Sequence, residues 1–378
     1  MWNFLTGLRL RTSVRRTGIL LSLISTACIL GLFAMLVGRP AQSTVISTVK
    51  TDLFSEFNMN TANRISDALD GVLSVEKKYW ISADALSAPK PDPFSFGETS
   101  DPSEMAGVIE RASALLDGQN LLFSTDVKLA PNSTIRYYLD DTILAIAWKE
   151  VHHYSVYSFA EVRIADASQF RRYLSEGKFG ADTIRPTTEM AKSVNAVIAS
   201  SGDYYRFRDV GVLVYNGEVK RVHQGMADSC LVDYDGNLHF IYRYEPYDFD
   251  SAHEYVETNN INFSLTFGPV IIDNGALTVP YSYVLGEIND GYPRAALCQL
   301  DELHYLIAMV NTEGANAYSQ AMYEFAAVLQ GKGGRYAYAL DGGQTASLAV
   351  NGDLYNSVYN GYERWHSDIL YFGTAIPD

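Results

Sequence analysis

The sequence of 378 residues contains little cysteine. Of its three cysteines, Cys28 lies within an apolar run, which leaves Cys230 and Cys298 for the rest of the chain. Two cysteines so far apart exclude a disulfide-rich scaffold, whereas a single disulfide and two buried thiols both remain open. No CxxC or HExxH pattern indicates zinc, and His152-His153 is interpreted as part of a strand.

Basic residues are also few, with 29 lysines and arginines against 44 aspartates and glutamates and a formal net charge of −15. The first 17 residues carry four arginines and no acid, so the rest of the chain is more acidic still. A surface of that sign repels polyanions, and we therefore expect no nucleic-acid partner. An anionic substrate would need arginines gathered at its own site.

Common ligand-binding and catalytic motifs are missing. The sequence has no P-loop and no GxSxG nucleophile motif. The segment DYDGN spaces Asp233, Asp235 and Asn237 like the first ligands of an EF-hand, but its glycine comes one position early and Tyr244 stands where a bidentate glutamate is needed. We therefore predict a hairpin turn there, and no metal or other cofactor.

One long apolar run is present near the N-terminus. Gly18 to Val37 contains about twenty uncharged, mostly apolar residues, enough to cross a bilayer as a helix. Four arginines precede it, so the positive-inside rule predicts a cytoplasmic tail over residues 1–17, an uncleaved transmembrane anchor over 18–37 and an extracytoplasmic remainder.

Residues 38–131 differ in character from residues 132–378. They contain two segments with helix-like spacing of apolar residues around a Pro/Ser/Asp-rich linker, and we interpret them as a helical stalk or linker. Residues 132–378 contain β-prone runs separated by dipeptides that favour tight hairpin turns: Asn216-Gly217, Asp235-Gly236, Asn274-Gly275 and Asn351-Gly352.

Two helices are predicted within this β-rich region. The segment DASQFRRYL begins with Asp166 as a helix N-cap, and NAYSQAMYEFAAVLQGKGG is closed by Gly331. The predicted fold class is α+β, a β-rich domain of mixed or antiparallel sheets with a few helices, preceded by a transmembrane helix and a helical stalk. The 26 tyrosines suit either a sugar-facing surface or a β-protein core.

Four short segments stand out together: Ser200–Gly217, Leu265–Gly275, Tyr292–Val310 and Tyr338–Gly352. In this order they resemble the phosphodiester glycosidase family, and the resemblance runs from about Ile135 to the closing ERWHSDILYF. That family includes an animal enzyme that removes N-acetylglucosamine from a phosphodiester, and bacterial members labelled exopolysaccharide biosynthesis proteins. The resemblance implies an extracytoplasmic hydrolase that cleaves the glycosyl C–O bond of a sugar-1-phosphodiester in an envelope or environmental glycan.

The resemblance also implies a set of catalytic residues. Asp341, in an intact Asp-Gly-Gly step, is expected to stabilise or attack an oxocarbenium-like transition state, while Asp203 activates water. Arg294 follows Pro293 and is expected to bind the departing phosphate through paired N–H donors.

Two positions depart from the family's pattern, since Ser201 replaces an asparagine and Ala295 replaces a threonine. Each remaining candidate also has a structural interpretation, as a tight turn, a core aromatic, an exposed strand face or a solvent-facing helix residue. The candidates for substrate binding are Gly202, Tyr204, Tyr205, Arg206, Arg208, Gly342, Gly343, Gln344, Thr345 and Glu324.

Two other functions fit the same residues. A non-catalytic polysaccharide-binding or exopolysaccharide biosynthesis accessory module would keep the aromatics and glycines but tolerate the loss of Asp341. A metal-assisted phosphodiesterase would need a cluster of carboxylates and histidines that the sequence does not display. The expected partners are a glycan or sugar-phosphodiester substrate and, through the anchor, the membrane.

Overall fold

The computed structural model describes residues 79–116, 121–284, 288–311 and 320–376. These residues belong to one compact unit, Tyr79–Asp378. The predicted tail over 1–17, the predicted anchor over 18–37 and the first part of the predicted stalk lie outside them. Within the described ranges, none of the helices has the length and apolar character needed to span a membrane.

Strands dominate the described residues. Their four α-helices are α1 (Ala106–Leu115), α2 (Thr187–Ser193), α3 (Phe249–Thr258) and α4 (Met322–Gly331). The strands are β1 (Phe96–Thr99), β2 (Ile135–Leu139), β3 (Ile143–His152), β4 (Ser155–Ile164), β5 (Phe170–Leu174), β6 (Ile198–Ser201), β7 (Gly211–Tyr215), β8 (Glu218–His223), β9 (Ser229–Asp233), β10 (Leu238–Ile241), β11 (Ile261–Leu265), β12 (Val270–Asp273), β13 (Ala276–Leu277), β14 (Arg294–Asp301), β15 (His304–Asn311), β16 (Tyr336–Leu340), β17 (Leu348–Val350), β18 (Asp353–Leu354) and β19 (Asp368–Phe372).

The largest sheet has nine strands in the order β1-β2-β3-β4-β15-β14-β16-β12-β13. All of its strand pairs are antiparallel, and antiparallel pairing is one of the two predicted arrangements, mixed or antiparallel. The middle strands are buried along nearly their whole length, because both faces of the sheet are covered. On β3, Ile146 and Trp148 belong to one core and Ala145 and Ala147 to another, as the two-residue period of a strand dictates.

A five-stranded sheet, β18-β17-β6-β19-β5, covers one face of the large sheet. The two sheets share a core that includes Leu297 and Leu340 from the large sheet and Leu348 and Phe372 from the smaller one. Helices α1 and α4 pack on the other face of the large sheet, and α2 packs on the outer face of the smaller sheet. The domain is therefore built in layers, helix on sheet on sheet on helix.

All four predicted hairpins are confirmed. Asn216 and Gly217 take positive φ angles of 51° and 75° between β7 and β8, as a tight primed turn requires. The other three dipeptides join β9 to β10, β12 to β13 and β17 to β18. The segment that imitates a calcium loop is thus a hairpin turn, and among the described residues no group of three or more His, Cys, Asp or Glu side chains is arranged to hold a metal ion.

One of the two predicted helices is wrong and the described part of the other is confirmed. Asp166 does accept a capping hydrogen bond, but it caps only the 3-10 helix Ala167–Gln169, and strand β5 comes next. Its residues alternate between buried and half-buried, so a two-residue period prevails over the helix signal. The second prediction corresponds to α4, which ends at Gly331.

The described part of the predicted stalk, residues 79–131, needs correction. Strand β1 pairs with β2 at the edge of the large sheet, and α1 buries Ala112 in the main core together with Met105 and Phe123. These apolar residues have a sheet to cover, which is why their helical spacing does not produce a free-standing stalk. The domain therefore begins before residue 132.

The two cysteines left open by the sequence are both free and buried. Burial raises the pKa of Cys230 and raises that of Cys298 to about 12. Both therefore serve as small core residues, the second of the two possibilities.

Candidate active site

The candidate site lies where the two large sheets meet. Asp341 directly follows β16, and Arg294 begins the neighbouring strand β14, whose Ala295 pairs with Leu340. The backbone N–H of Asp341 donates to the carbonyl of Gly202, 3.1 Å away, and Gly202 directly follows β6 of the smaller sheet. Two distant sequence segments thus meet through one backbone hydrogen bond at the seam.

The two glycines after Asp341 are required by close packing. A Cβ atom on Gly342 would lie 2.5 Å from the carbonyl oxygen of Pro293, and one on Gly343 would lie 2.8 Å from the ring of Tyr292. Gly343 also has a φ angle of +58° and donates its N–H to the Pro293 carbonyl at 2.9 Å. The glycines therefore hold the turn against β14 and fix where Asp341 stands.

A cavity of about 410 Å³ opens beside this turn, within the usual range for small-molecule sites. Polar groups and aromatic rings share its lining. The lining residues are Tyr204, Arg208, Phe267, Gly268, Pro269, Tyr283, Ile288, Tyr292, Pro293, Arg294, Ala295, Met322, Leu340, Asp341, Gly342, Gly343, Gln344 and Arg364.

Asp341 is the one carboxylate among those lining residues, and it is only 7% exposed. Its Oδ2 atom is buried and has no hydrogen-bond partner among the described residues. Burial raises the pKa of Asp341 to about 6, with the negative charge of Asp203 adding to the rise and Thr345, Arg364 and Arg208 opposing it. A carboxylate with a free oxygen and such a pKa can exchange a proton near neutral pH.

Two arginines of the cavity surround Tyr204. The guanidinium carbons of Arg208 and Arg364 lie 5.6 Å and 5.4 Å from the centre of its ring. Arg364 also donates to the Tyr204 hydroxyl at 3.1 Å and to the Thr345 hydroxyl at 3.4 Å. Both arginines lower the pKa of Asp341, so their positive charge is felt at the carboxylate. The cavity thus combines one acid with cationic groups suited to an anionic ligand.

Arg294 lines the cavity as well, but its guanidinium is held by the backbone. Its Nε donates to the carbonyl of Gln320 at 3.0 Å and its Nη2 to that of Asp290 at 2.7 Å. The residue is 6% exposed. Neither Asp341 nor Glu324 is a partner in these two bonds. Arg294 therefore ties together the segments that border the cavity, in addition to any contact with a ligand.

Asp203 does not line the cavity. It is fully buried and forms an ion pair with Arg172, which also pairs with Asp368, at 2.8 Å and 2.9 Å respectively. Its remaining bonds come from the backbone N–H groups of Tyr205 and Thr266, both at 2.7 Å, and from the Thr266 hydroxyl at 3.3 Å. Both carboxylate oxygens of Asp203 are occupied, so the predicted role of activating water does not fit this geometry.

Arg172, Asp203 and Asp368 form a buried ion cluster next to Gly202. Arg172 also donates to the carbonyl of Ser264, so one guanidinium joins strands from two sheets. Burial raises the pKa of Asp368, against the effect of Arg172. A Cβ atom on Gly202 would lie 2.1 Å from the Asp368 carboxylate, which explains a glycine at that position.

The remaining predicted residues divide into two groups. Gln344 lines the cavity, and Thr345 is buried beneath it. Tyr205 is a core residue that stacks under Arg172, with 5.3 Å between the guanidinium carbon and the ring centre. Arg206 points away to the carbonyl of Ala181.

Glu324 is likewise outside the lining. It is exposed at the start of α4 and accepts the backbone N–H of Ala321 at 3.1 Å. Glu324 is thus a solvent-facing helix residue, the structural interpretation that the sequence left open, and its contact with Ala321 caps the helix.

Sequence reasoning missed Arg364, Arg172 and Asp368. Arg364 and Asp368 lie in the segment ERWHSDILYF, which contributes to the family resemblance but contains no motif that assigns them a role. Arg172 lies in the segment predicted as a helix, and only a strand places it inward while Arg171 faces outward. The alternation within FRRYL was the signal that pointed to it.

The family comparison agrees with the resemblance found in the sequence. The family model for phosphodiester glycosidase matches residues 194–373, which include β6 to β19 and every cavity-lining residue. Among curated proteins, none matches this chain by sequence.

Among solved structures, the chain is similar to the catalytic domain of zebrafish N-acetylglucosamine-1-phosphodiester alpha-N-acetylglucosaminidase, solved in a form auto-inhibited by its pro-peptide. The identity is 15%, the TM-score is 0.52, and the match covers 69% of this chain and 92% of the zebrafish chain. A hypothetical protein from Synechocystis matches with 13% identity and a TM-score of 0.45 over 66% of this chain and 64% of its own. The first likeness shows a shared fold, and residues 194–373 match the phosphodiester glycosidase family.

Proposed function

We propose that this protein hydrolyses a sugar-1-phosphodiester at the bond between the anomeric carbon and the phosphate oxygen. The observation that carries this proposal is Asp341, a buried carboxylate with a free oxygen in a cavity that also presents Arg208 and Arg364. The family match supports the same reaction class. The zebrafish enzyme's name describes that chemistry on an N-acetylglucosamine phosphodiester.

In the proposed reaction, the bond from the anomeric carbon to the phosphate oxygen breaks, and its electrons go to that oxygen. The sugar ring gains oxocarbenium character, which the ionised Asp341 stabilises through space. Water attacks the anomeric carbon and gives its proton to Asp341. The products are a free sugar and a phosphomonoester, and the proton on Asp341 balances the added negative charge of the phosphate.

The departing phosphomonoester is a stable anion, so it needs neutralisation more than protonation. Arg208 and Arg364 are suited to this task because both charges reach the cavity, and a guanidinium can bind two phosphate oxygens at once. Arg294 contributes positive charge nearby, although its Nε and Nη2 already bind backbone carbonyls. The proposed reaction therefore uses one carboxylate, Asp341, together with arginines, whereas the sequence predicted two catalytic carboxylates.

Rings in the lining provide a surface for the sugar. Tyr283 and Tyr292 belong to the lining, as does Tyr204, whose ring lies against the guanidinium groups of Arg208 and Arg364. Aromatic faces pack against the C–H groups of a sugar ring, while the backbone and Gln344 offer hydrogen bonds to its hydroxyls.

We further propose that the domain acts outside the cytoplasm, tethered through residues 18–37. This proposal is supported by the apolar run and the four arginines before it. Protease added to intact cells should digest the domain to the same extent as an exported control protein. A domain that stays intact while the control is digested would refute this location.

An isotope experiment tests the proposed chemistry. The full-length protein is incubated with a panel of sugar-1-phosphodiesters in water enriched in oxygen-18. The label is expected in the sugar product, because water attacks carbon. Label in the phosphate would indicate a phosphodiesterase instead, and the absence of turnover across the panel would favour a non-catalytic binding module.

A further inference from the structure

A second cavity of about 470 Å³ lies away from the Asp341 site and shares none of its lining residues. One wall is formed by the segment Trp80–Leu86 and another by β5. Its volume falls within the range of about 300–1,000 Å³ that is usual for small-molecule sites. Neither wall belongs to the family match, since that match covers residues 194–373.

The wall formed by Trp80–Leu86 is fixed in place. Arg171 of β5 donates to the carbonyls of Ser82, Ala83 and Ala85, at 3.1 Å, 3.5 Å and 2.7 Å. The backbone N–H of Ile81 donates to the Ser168 hydroxyl at 2.8 Å, and the Ile81 side chain is buried in the core. The cavity is therefore formed before any ligand arrives, which lowers the entropic cost of binding.

Exposed aromatic rings line this cavity. Trp80 is 63% exposed and Tyr234 is 39% exposed, although large aromatic side chains are more often covered. Tyr173 is half-buried in the same lining. Such rings offer apolar faces with a polar edge, the surface that packs against the C–H groups of a sugar.

Polar groups in the lining are available to a ligand. The side-chain amides of Asn216 and Asn262 have no hydrogen bond to any described residue, and both line the cavity. Each amide carries donors and an acceptor in one plane, a geometry that suits neighbouring hydroxyl groups. Asp84, exposed in the same lining, adds acceptors.

The charges of the lining argue against an anionic ligand. Arg171 directs its N–H groups to three carbonyls, and Arg172 directs its own to Asp203, Asp368 and Ser264. The described lining residues therefore offer acids but no uncommitted cation. This contrasts with the Asp341 cavity, where arginines face an anion site.

We propose that this second cavity binds a neutral saccharide unit. The ring of the saccharide packs on Trp80 and Tyr234, and its hydroxyls bond to Asn216 and Asn262. The proposal goes beyond the hydrolytic reaction, because it needs no chemistry and no phosphate. A second sugar site would hold a glycan chain on the enzyme between turnovers.

Titration of a full-length Asp341→Asn variant with neutral disaccharides tests this proposal. The probes are maltose, cellobiose and N,N′-diacetylchitobiose, followed by calorimetry and saturation-transfer NMR. We expect saturable binding of at least one probe, weakened about tenfold or more by Trp80→Ala and by Asn262→Ala, since each removes a direct contact. Because no turnover is measured, an inactive wild-type enzyme would not affect this result.

Matched controls separate the two cavities. Arg364→Ala and Trp365→Ala, each in the Asp341→Asn background, should leave binding within about twofold, because neither residue lines the second cavity. If Asn262→Ala fails to fold by thermal melting, Asn216→Gly replaces it, since glycine removes the amide at this exposed position and keeps the positive φ of the turn. The proposal is overturned if no probe binds saturably, or if binding depends on Arg364 and not on Trp80 and the asparagine.

Discussion

Asp341 and Asp203 are two buried aspartates at the same seam between sheets, yet their surroundings differ. Asp203 is bonded by Arg172 and by two backbone N–H groups. Asp341 has a buried oxygen without a partner among the described residues and a pKa raised to about 6. A carboxylate whose two oxygens both accept hydrogen bonds stabilises the fold. A buried carboxylate with an unbonded oxygen has a raised pKa and can take part in proton transfer, but its ionised form lowers the stability of the fold.

The largest effect expected from this contrast is on turnover. Asp341→Asn keeps the size of the side chain but removes the charge and the proton acceptor, so kcat should fall by about 100- to 10,000-fold, the usual range for a general base. Steady-state kinetics on a sugar-1-phosphodiester measure this. Near-normal kcat with an unchanged melting temperature would return Asp341 to the role of a simple turn residue.

The counterpart prediction concerns the bonded aspartate. Asp203→Ala removes the acceptor for the Tyr205 and Thr266 N–H groups and one partner of Arg172, which leaves buried polar groups unpaired. Its free energy of unfolding should drop by about 3–5 kcal/mol. Denaturant unfolding measures this, with Asp341→Ala as the matched control. A larger loss in the control than in Asp203→Ala would reverse the comparison.

A smaller effect is expected at the arginines. Arg364→Lys keeps the charge but loses the planar fork, so kcat/KM should fall by the equivalent of about 1.5–3 kcal/mol and inhibition by inorganic phosphate should weaken. Arg206→Lys is the matched control, since Arg206 points to Ala181 outside the cavity. Equal effects of the two substitutions would show that general electrostatics, and not phosphate contact, accounts for the loss.

The smallest expected effect is a pH-dependent gain in stability. Asp341 has a pKa of about 6 in the fold, above its ordinary value of 3.8, so the fold disfavours its ionised form. That penalty is absent below about pH 4 and complete above about pH 6. Asp341→Asn should therefore gain about 1–3 kcal/mol relative to the parent protein between about pH 4 and pH 8, because each pKa unit corresponds to about 1.4 kcal/mol. A difference that stays constant over this range would contradict the raised pKa.

Local signals in the sequence predicted part of this structure well. Turn dipeptides such as Asn216-Gly217 specify their own φ angles, and the Asp-Gly-Gly step identified Asp341 as a residue of the cavity. Both depend on chemistry within a few positions.

The errors came from contacts that local chemistry does not encode. The helix-like segment of 79–131 does form α1, but its apolar side chains pack in the main core. Strand β1, within the predicted linker, is a strand because it pairs with β2. Asp203 was predicted to be catalytic from the family resemblance, and its ion-pair partner Arg172 is distant in sequence, in a segment predicted as a helix. Burial and pairing across sheets decide which of two similar acids is free, and neither is visible in one sequence.

The position of β19 has a consequence for biosynthesis. This strand lies between β6 and β5 in the interior of the five-stranded sheet, yet it is the last of the described strands to be synthesised. Strand β19 also contains Asp368, one of the two aspartates that form ion pairs with Arg172. A nascent chain that ends just before β19 therefore has an open gap in the middle of that sheet, with two unpaired strand edges exposed. Productive folding of the five-stranded sheet must therefore wait until β19 has emerged from the ribosome, and until then the unpaired edges of β6 and β5 are open to aggregation.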